Sequence, residues 1–427
     1  MKGPTELGWE ALDRHFSITD RLTRGEVIEL SAPDIKNVSQ REPRLMSKFD
    51  TRESRPTPLR NATILPVSNG AYVVLPGDGY FDTESAARKK HWPASGSVRR
   101  LCTLPWASGP TSESQALDMA LATGVVHDFL QDPAACLTIR GRLRSPEFEL
   151  GFGRSETPIP LKVSGVQIEV DSGLEGEAIH VIEAKLGTRT NFHIRQLYYP
   201  YRMWLALQQY KPVKTVFFSW SNRCFSFRSF GFTRPEHYHS IALLDAADYY
   251  LDDPALLPPL SRIVGGAGKE ALPTEVPFPQ ADDVRRVIDV LDAVSNGTSN
   301  RTELSKYYEF NERQSDYYAN AAAFLGYLSR SDAGFGLTPL GSEFVSLPMH
   351  ERHRRFIERM AMLPVFREVL ESLCSNRALP ESDWTAELIR RSTGLSGKTP
   401  ERRARTVLSW ARWAEQVTAE AERARAG

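Results

Sequence analysis

The chain has 427 residues, with 53 Lys and Arg balanced by 53 Asp and Glu. It is too long for one ordinary core, and it lacks the net basic charge of a nucleic-acid coat, although a local basic face stays open. No apolar run approaches a membrane span, the N-terminal "MKGPTELGWEALDRHF" lacks the order of a signal peptide, and the scattered Cys102, Cys136, Cys224 and Cys374 fit neither a disulfide frame nor a zinc site, so a cytoplasmic protein is expected.

In chain order, residues 1–95 are expected to form a mostly β domain. "NATILPVSNGAYVVLPGDGYF" reads as two or three strands split by Ser-Asn-Gly and Pro-Gly-Asp-Gly turns. Upstream, "REPRLMSKFDTRESRP" reads as a flexible basic loop. Over 96–248 the pattern predicts a helix in "TSESQALDMALATGVVHDFLQD", then strands in "CLTIRGRLRSPEFELGFG", "VSGVQIEVDSG" and "EAIHVIEAKLG". A long amphipathic helix follows in "NFHIRQLYYPYRMWLALQQY", kinked or started at Pro200, and two further strands in "KTVFFSWS" and "CFSFRSFGF". That order predicts an α/β layer fold, a mixed sheet with helices packed on it.

Residues 249–280 are rich in Pro and Gly and read as a linker. Over 281–348 three helical segments and a small hairpin give the element order of a winged helix-turn-helix. Residues 349–427 read as helical, ending in "TPERRARTVLSWARWAEQ" with arginines on one side and Val407, Leu408, Trp410 and Trp413 on the other.

The chemistry concentrates in "HVIEAKLG", His180 to Gly187. Glu183 and Lys185 interrupt an apolar strand and share one of its faces, because strand side chains alternate. Unpaired buried charge is expensive, so this pair needs a partner: each other, or a divalent cation held by the carboxylate with the lysine beside it. Magnesium takes oxygen ligands, and one carboxylate is rarely enough. The preceding strand supplies Glu169 and Asp171 on a single face. A hairpin centred near Gly176 places Glu169 across from Glu183, with Asp171 as the diagonal neighbour.

An acid, a hairpin of this length and Glu-x-Lys on an apolar strand resemble the PD-(D/E)xK nucleases, over roughly residues 100 to 235. With "SESQAL", "IRGR", "VQIEVD", "IEAKLG", "RQLYYPYR" and a following winged helix, the pattern resembles a group of bacterial restriction-enzyme-like proteins. The resemblance implies a restriction-endonuclease-like mixed sheet flanked by helices. It implies one or two Mg²⁺ held by Glu183 and Asp171, with Glu169 as the rival ligand. It implies Lys185 beside the attacking water, Gln196 on the next helix, and Glu113 assisting from the first core helix. The activity implied is metal-assisted hydrolysis of double-stranded DNA, most simply by a type II restriction endonuclease acting as a homodimer, with a methyltransferase encoded nearby. Here Ile168-Glu169-Val170-Asp171 stands where the family has Pro-Asp, so the chief ligand stays open between the two acids.

For DNA contact, the winged helix offers Asn311, Arg313, Gln314, Tyr317 and Asn320 on its recognition helix, residue types suited to base edges in a major groove. Arg402 and Arg403 can track phosphates, or form the solvated face of an amphipathic helix. Two further readings stand beside a restriction enzyme: a repair, recombination or modification-dependent nuclease, and a non-catalytic DNA-binding regulator. "HERH" at 350–353 misses the HExxH spacing, and "GGAGKE" is no phosphate-binding loop. Lone His180 and His193, and Tyr198, Tyr199 and Tyr201, read as structural.

Overall fold

A computed structural model describes residues 3–426 apart from 84, 107, 108, 309–311 and 333. The chain is mixed α/β with a large mixed sheet and helices. It divides into two compact units, the first formed by residues 1–88, 112–219 and 225–248, the second by 89–111, 220–224 and 249–427. No helix among the described residues is long and apolar enough to cross a membrane.

The first unit opens on helix, not strand, which corrects the expectation of a mostly β N-terminal domain. α1 (Pro4–Phe16) starts with a proline in its first turn, where the missing N–H costs nothing, and buries Trp9 and Leu12. β1 (Ile28–Ser31) leads into α2 (Ala32–Ser39) through a capping box between Ser31 and Asp34. β1 pairs with β3 (Ala71–Pro76), which also pairs with β2 (Ala62–Ser68). These strands and helices close over Trp9, Ile28, Ile35, Met46 and Phe49. Of the two or three strands predicted in 61–81, β2 and β3 are therefore present, in a small α/β layer. β4 (Tyr80–Asp82) then leaves that layer for a strand far along the chain.

The rest of the unit follows the expected order of helix, strands, helix, strands. α3 (Glu113–Ala122) is capped by Ser112 and stops before Gly124, whose positive φ divides the single helix predicted there into two. "CLTIRGRLRSPEFELGFG" likewise divides at Pro146, into β5 (Cys136–Arg144) and a separate strand, Phe148–Phe152. β6 (Gln167–Glu175), β7 (Ile179–Leu186), the short β8 (Asn191–His193), α4 (Arg195–Leu207), β9 (Val213–Ser221), β10 (Cys224–Phe232) and β11 (Ile241–Tyr250) complete it. Six of the seven strands of this sheet lie in the order β11-β10-β9-β7-β6-β5. β7 is thus interior, and every one of its residues is buried. β5 is an edge strand and exposes Arg140, Arg142 and Arg144, charges that discourage edge-to-edge pairing.

α4 lays Leu197, Tyr198, Tyr199 and Met203 against Val181, Ile179 and Phe217 of the sheet. Tyr198 and Tyr199 donate from their hydroxyls to the carbonyls of Pro235 and Pro66, at 2.8 and 2.9 Å. They are packing residues with satisfied polar ends. Pro200 lies inside the helix and withholds the N–H that would bond the Gln196 carbonyl.

In the second unit the stretch read as a linker contains ordered structure, the helix Leu260–Gly266 and a short 3₁₀ turn at Pro254–Leu256. Then come α5 (Val284–Ser295), α6 (Arg301–Tyr308), α7 (Glu312–Phe324), β12 (Leu328–Ser331) and β13 (Gly334–Leu337). This helix, helix, helix, hairpin order is the one the sequence predicts. Below it α8 (Met349–Met362), α9 (Pro364–Asn376), α10 (Ser382–Thr393) and α11 (Thr399–Ala426) pack around Phe356, Phe366 and Trp410.

Candidate functional site

The β6–β7 hairpin sets the site. Its register pairs Ile179 with Glu175, Val181 with Gly173, and Ile182 with Ser172. One further step brings Asp171, not Glu169, beside Glu183. The hairpin pivots one residue later than Gly176, and this corrects the expectation that Glu169 faces Glu183. Asp132 fixes the turn. Its carboxylate accepts from the Glu177 N–H at 2.9 Å and lies 3.1 Å from His180 Nε2. A Cβ on Gly176 would overlap that carboxylate. His180 is therefore a turn-holding residue, and burial keeps its imidazole below the ordinary histidine range despite the aspartate.

On this frame the charges converge. Lys185 Nζ donates to Glu183 Oε1 at 2.8 Å, and Gln196 Nε2 donates to the same oxygen at 2.6 Å. Gln196 Oε1 is buried and, among the described residues, takes no hydrogen bond. Asp171 accepts from the Ala184 N–H at 2.8 Å. Glu113, at the start of α3, stands 3.5 Å from Lys185. Burial pushes the Glu183 carboxyl well above the usual range; Lys185 opposes the shift and Asp171 adds to it. Burial likewise raises Asp171, against the pull of Lys185 and with the repulsion of Glu113. These acids crowd one another around one ammonium.

Glu169 stands apart. Its side chain is 49 % exposed and is held by Arg44 and Arg142, each at 3.4 Å. It lines the rim of the same cleft, a cavity of about 380 Å³. Sequence reasoning missed four charged lining residues: Arg44, Lys48, Asp50 and Arg195. The first three lie in the segment read as a loose basic loop, and nothing in its composition signals a long-range contact. Arg195, adjacent to Gln196, was legible in principle from the helix that carries the glutamine.

Among the described residues, no group of three or more His, Cys, Asp or Glu side chains is arranged to hold a metal ion. The donor set still suits magnesium, which keeps several waters and binds through one or two carboxylates. Asp171 and Glu183 would supply these, with the orphaned Gln196 oxygen beside them.

In the second unit, Asn311 and the side chain of Arg313 lie outside the described residues. Gln314, Tyr317 and Asn320 are half-buried on α7. Arg402 is exposed. Arg403 is not a free cation: it donates to Gln280 at 2.6 Å, and burial lowers its pKa, with Arg402 adding to the effect. Of the two histidines of the rejected "HERH" motif, His353 is half-buried, edge-on to Trp413.

Three family models match the chain, each described only as a domain of unknown function: DUF6996 over residues 6–74, DUF6997 over 78–250 and DUF7226 over 286–419. The middle one contains Glu113, Glu169, Asp171, Glu183, Lys185 and Gln196; the first contains Arg44, Lys48 and Asp50. No curated protein matches the chain, and no solved structure does.

Proposed function

We propose that the chain is a magnesium-dependent endodeoxyribonuclease of the PD-(D/E)xK kind, cutting double-stranded DNA as a type II restriction endonuclease. The observation that carries this reading is the meeting of Asp171, Glu183, Lys185 and Gln196 in one cleft on two adjacent strands and the helix that follows. A buried ion pair of this kind is weak support for stability, because desolvation cancels most of its Coulombic gain. Its placement in a cleft therefore favours a role in chemistry.

In this reading Asp171 and Glu183 would hold the ion. When bound, it polarises the scissile phosphate and lowers the pKa of a bound water. Lys185 positions that water or offsets the charge that develops on phosphorus. Gln196 orients Glu183. Arg44, Lys48 and Arg195 supply positive charge along the cleft for the DNA backbone. The winged helix in the second unit supplies sequence reading through Gln314, Tyr317 and Asn320. Cutting both strands with one site per chain calls for a homodimer.

The test is digestion of plasmid and phage DNA with Mg²⁺ by wild type, Lys185→Ala and Glu183→Ala, followed by mapping of the ends. Discrete fragments that vanish in both variants support a restriction enzyme. Cleavage that follows DNA structure or methylation points to a repair or modification-dependent nuclease. A second reading is a non-catalytic DNA-binding regulator. DNA binding without any cleavage would select it.

A further inference from the structure

The site contains one acid that the strand pair does not provide. Asp50 lies far upstream, in the region matched by a different family model, yet its side chain is only 2 % exposed and its Oδ2 is 4.0 Å from Lys185 Nζ. Its place is set by the backbone on both sides. The Phe49 carbonyl accepts from the Tyr80 hydroxyl at 2.7 Å, the Asp50 carbonyl from the His193 N–H at 3.0 Å, and Asn191 Oδ1 from the Arg52 N–H at 2.8 Å. The segment is thus laced to β8, the strand that runs directly into Gln196. Lys48 Nζ, 3.5 Å from the same Asp50 oxygen, balances part of its charge.

Glu183 Oε1 already accepts two N–H donors, from Lys185 and Gln196. An oxygen engaged twice has no lone pair left for a cation. Glu183 can therefore coordinate an ion through Oε1 only if a donor leaves, and the ammonium is the one a cation repels. Lys185 is buried, so off Glu183 its charge must still be met by the acids beside it. Glu113 is nearer, at 3.5 Å, but its side chain is 36 % exposed and its charge is screened by water. Asp50 is dry and fixed.

We propose that Asp50 is a positioning residue, the acceptor to which Lys185 turns when Glu183 takes up a divalent cation. The inference rests on the nuclease reading. It makes the upstream segment part of the active centre: the ion pair seen here is the resting arrangement, and the Lys185–Asp50 pair is the working one.

The experiment uses the full chain with manganese alone, located by its anomalous scattering in crystals. The expected result is Mn²⁺ on Asp171 and Glu183, with Lys185 Nζ moved to hydrogen-bond distance, about 3 Å, from Asp50. Mn²⁺ in place with Lys185 still on Glu183, or turned to Glu113, overturns the inference and leaves the nuclease reading standing. No Mn²⁺ at these carboxylates overturns both. In solution, calorimetry should show Asp50→Asn weakening Mn²⁺ about tenfold, while Asp118→Asn, which removes an equal charge from the half-exposed face of α3, changes it less than twofold. Asp50→Glu should recover part of the loss. Equal weakening by Asp50→Asn and Asp118→Asn would reduce Asp50 to a general electrostatic effect and sink the proposal.

Discussion

Glu183 and Lys185 occupy a strand whose other residues are apolar or His180, and every position in it is buried. Removing one member of such a pair leaves the other uncompensated, at a cost of about 3–5 kcal/mol, whereas replacing both with apolar groups of similar size is often neutral or stabilising by about 1–4 kcal/mol. Lys185→Ala should therefore lower urea stability clearly, while Glu183→Leu combined with Lys185→Met should match or exceed wild type. The double variant should also lose all Mg²⁺-dependent cleavage. A double variant as unstable as Lys185→Ala would mean that the pair serves the fold. At this scale the sequence was informative because strand alternation alone puts residues 183 and 185 on one face. Asp50 was not legible: it reaches the site through hydrogen bonds to β8 and Tyr80, which no local pattern announces.

The β6–β7 hairpin shows where reading by element stops short. The alternation of Glu169 and Asp171 was plain, but the register depends on how the turn closes, and a shift of the pivot exchanges one acid for the other. Asp132 makes that choice, gripping the Glu177 N–H and His180 from outside the hairpin. Asp132→Ala leaves buried donors unsatisfied, worth about 1–3 kcal/mol each. It should lower the urea midpoint and, by loosening the register, reduce cleavage; a variant destabilised yet fully active would uncouple turn and site. The three helices and the hairpin over 284–337 were legible because each is short, periodic and punctuated by Asn-Gly or by Gly-rich turns. On α7, Gln314→Ala and Tyr317→Ala should each cost about 1–3 kcal/mol of affinity for the preferred DNA site in anisotropy titrations. If specific and random DNA lose equally, α7 does not read bases.

At the scale of the whole molecule the second unit's helices were legible in the sequence, whereas the grouping of residues 1–88 with 112–219 in one unit was not, because it rests on pairings such as β4 with β8 that span over a hundred residues. Both units share one liability, a histidine whose surroundings hold it neutral. Burial holds His193 in the first unit and His353 in the second below the ordinary range, His353 to about 3, and neighbouring arginines add to the effect. An unfolded histidine titrates near 6.5, so below that pH the unfolded chain binds a proton that the folded chain refuses. Stability is complete above about pH 6.5 and falls as pH drops through the window toward the folded value. The slope approaches about 1.4 kcal/mol per pH unit for each such histidine. Urea denaturation at pH 7.5 and 5.5 should show this loss for wild type. His353→Leu, which keeps an apolar side chain against Trp413, should lose about 1 kcal/mol less over the same interval. Identical pH dependence in variant and wild type would mean that His353 takes up its proton without opening the core, and that the acid sensitivity of the second unit has another source.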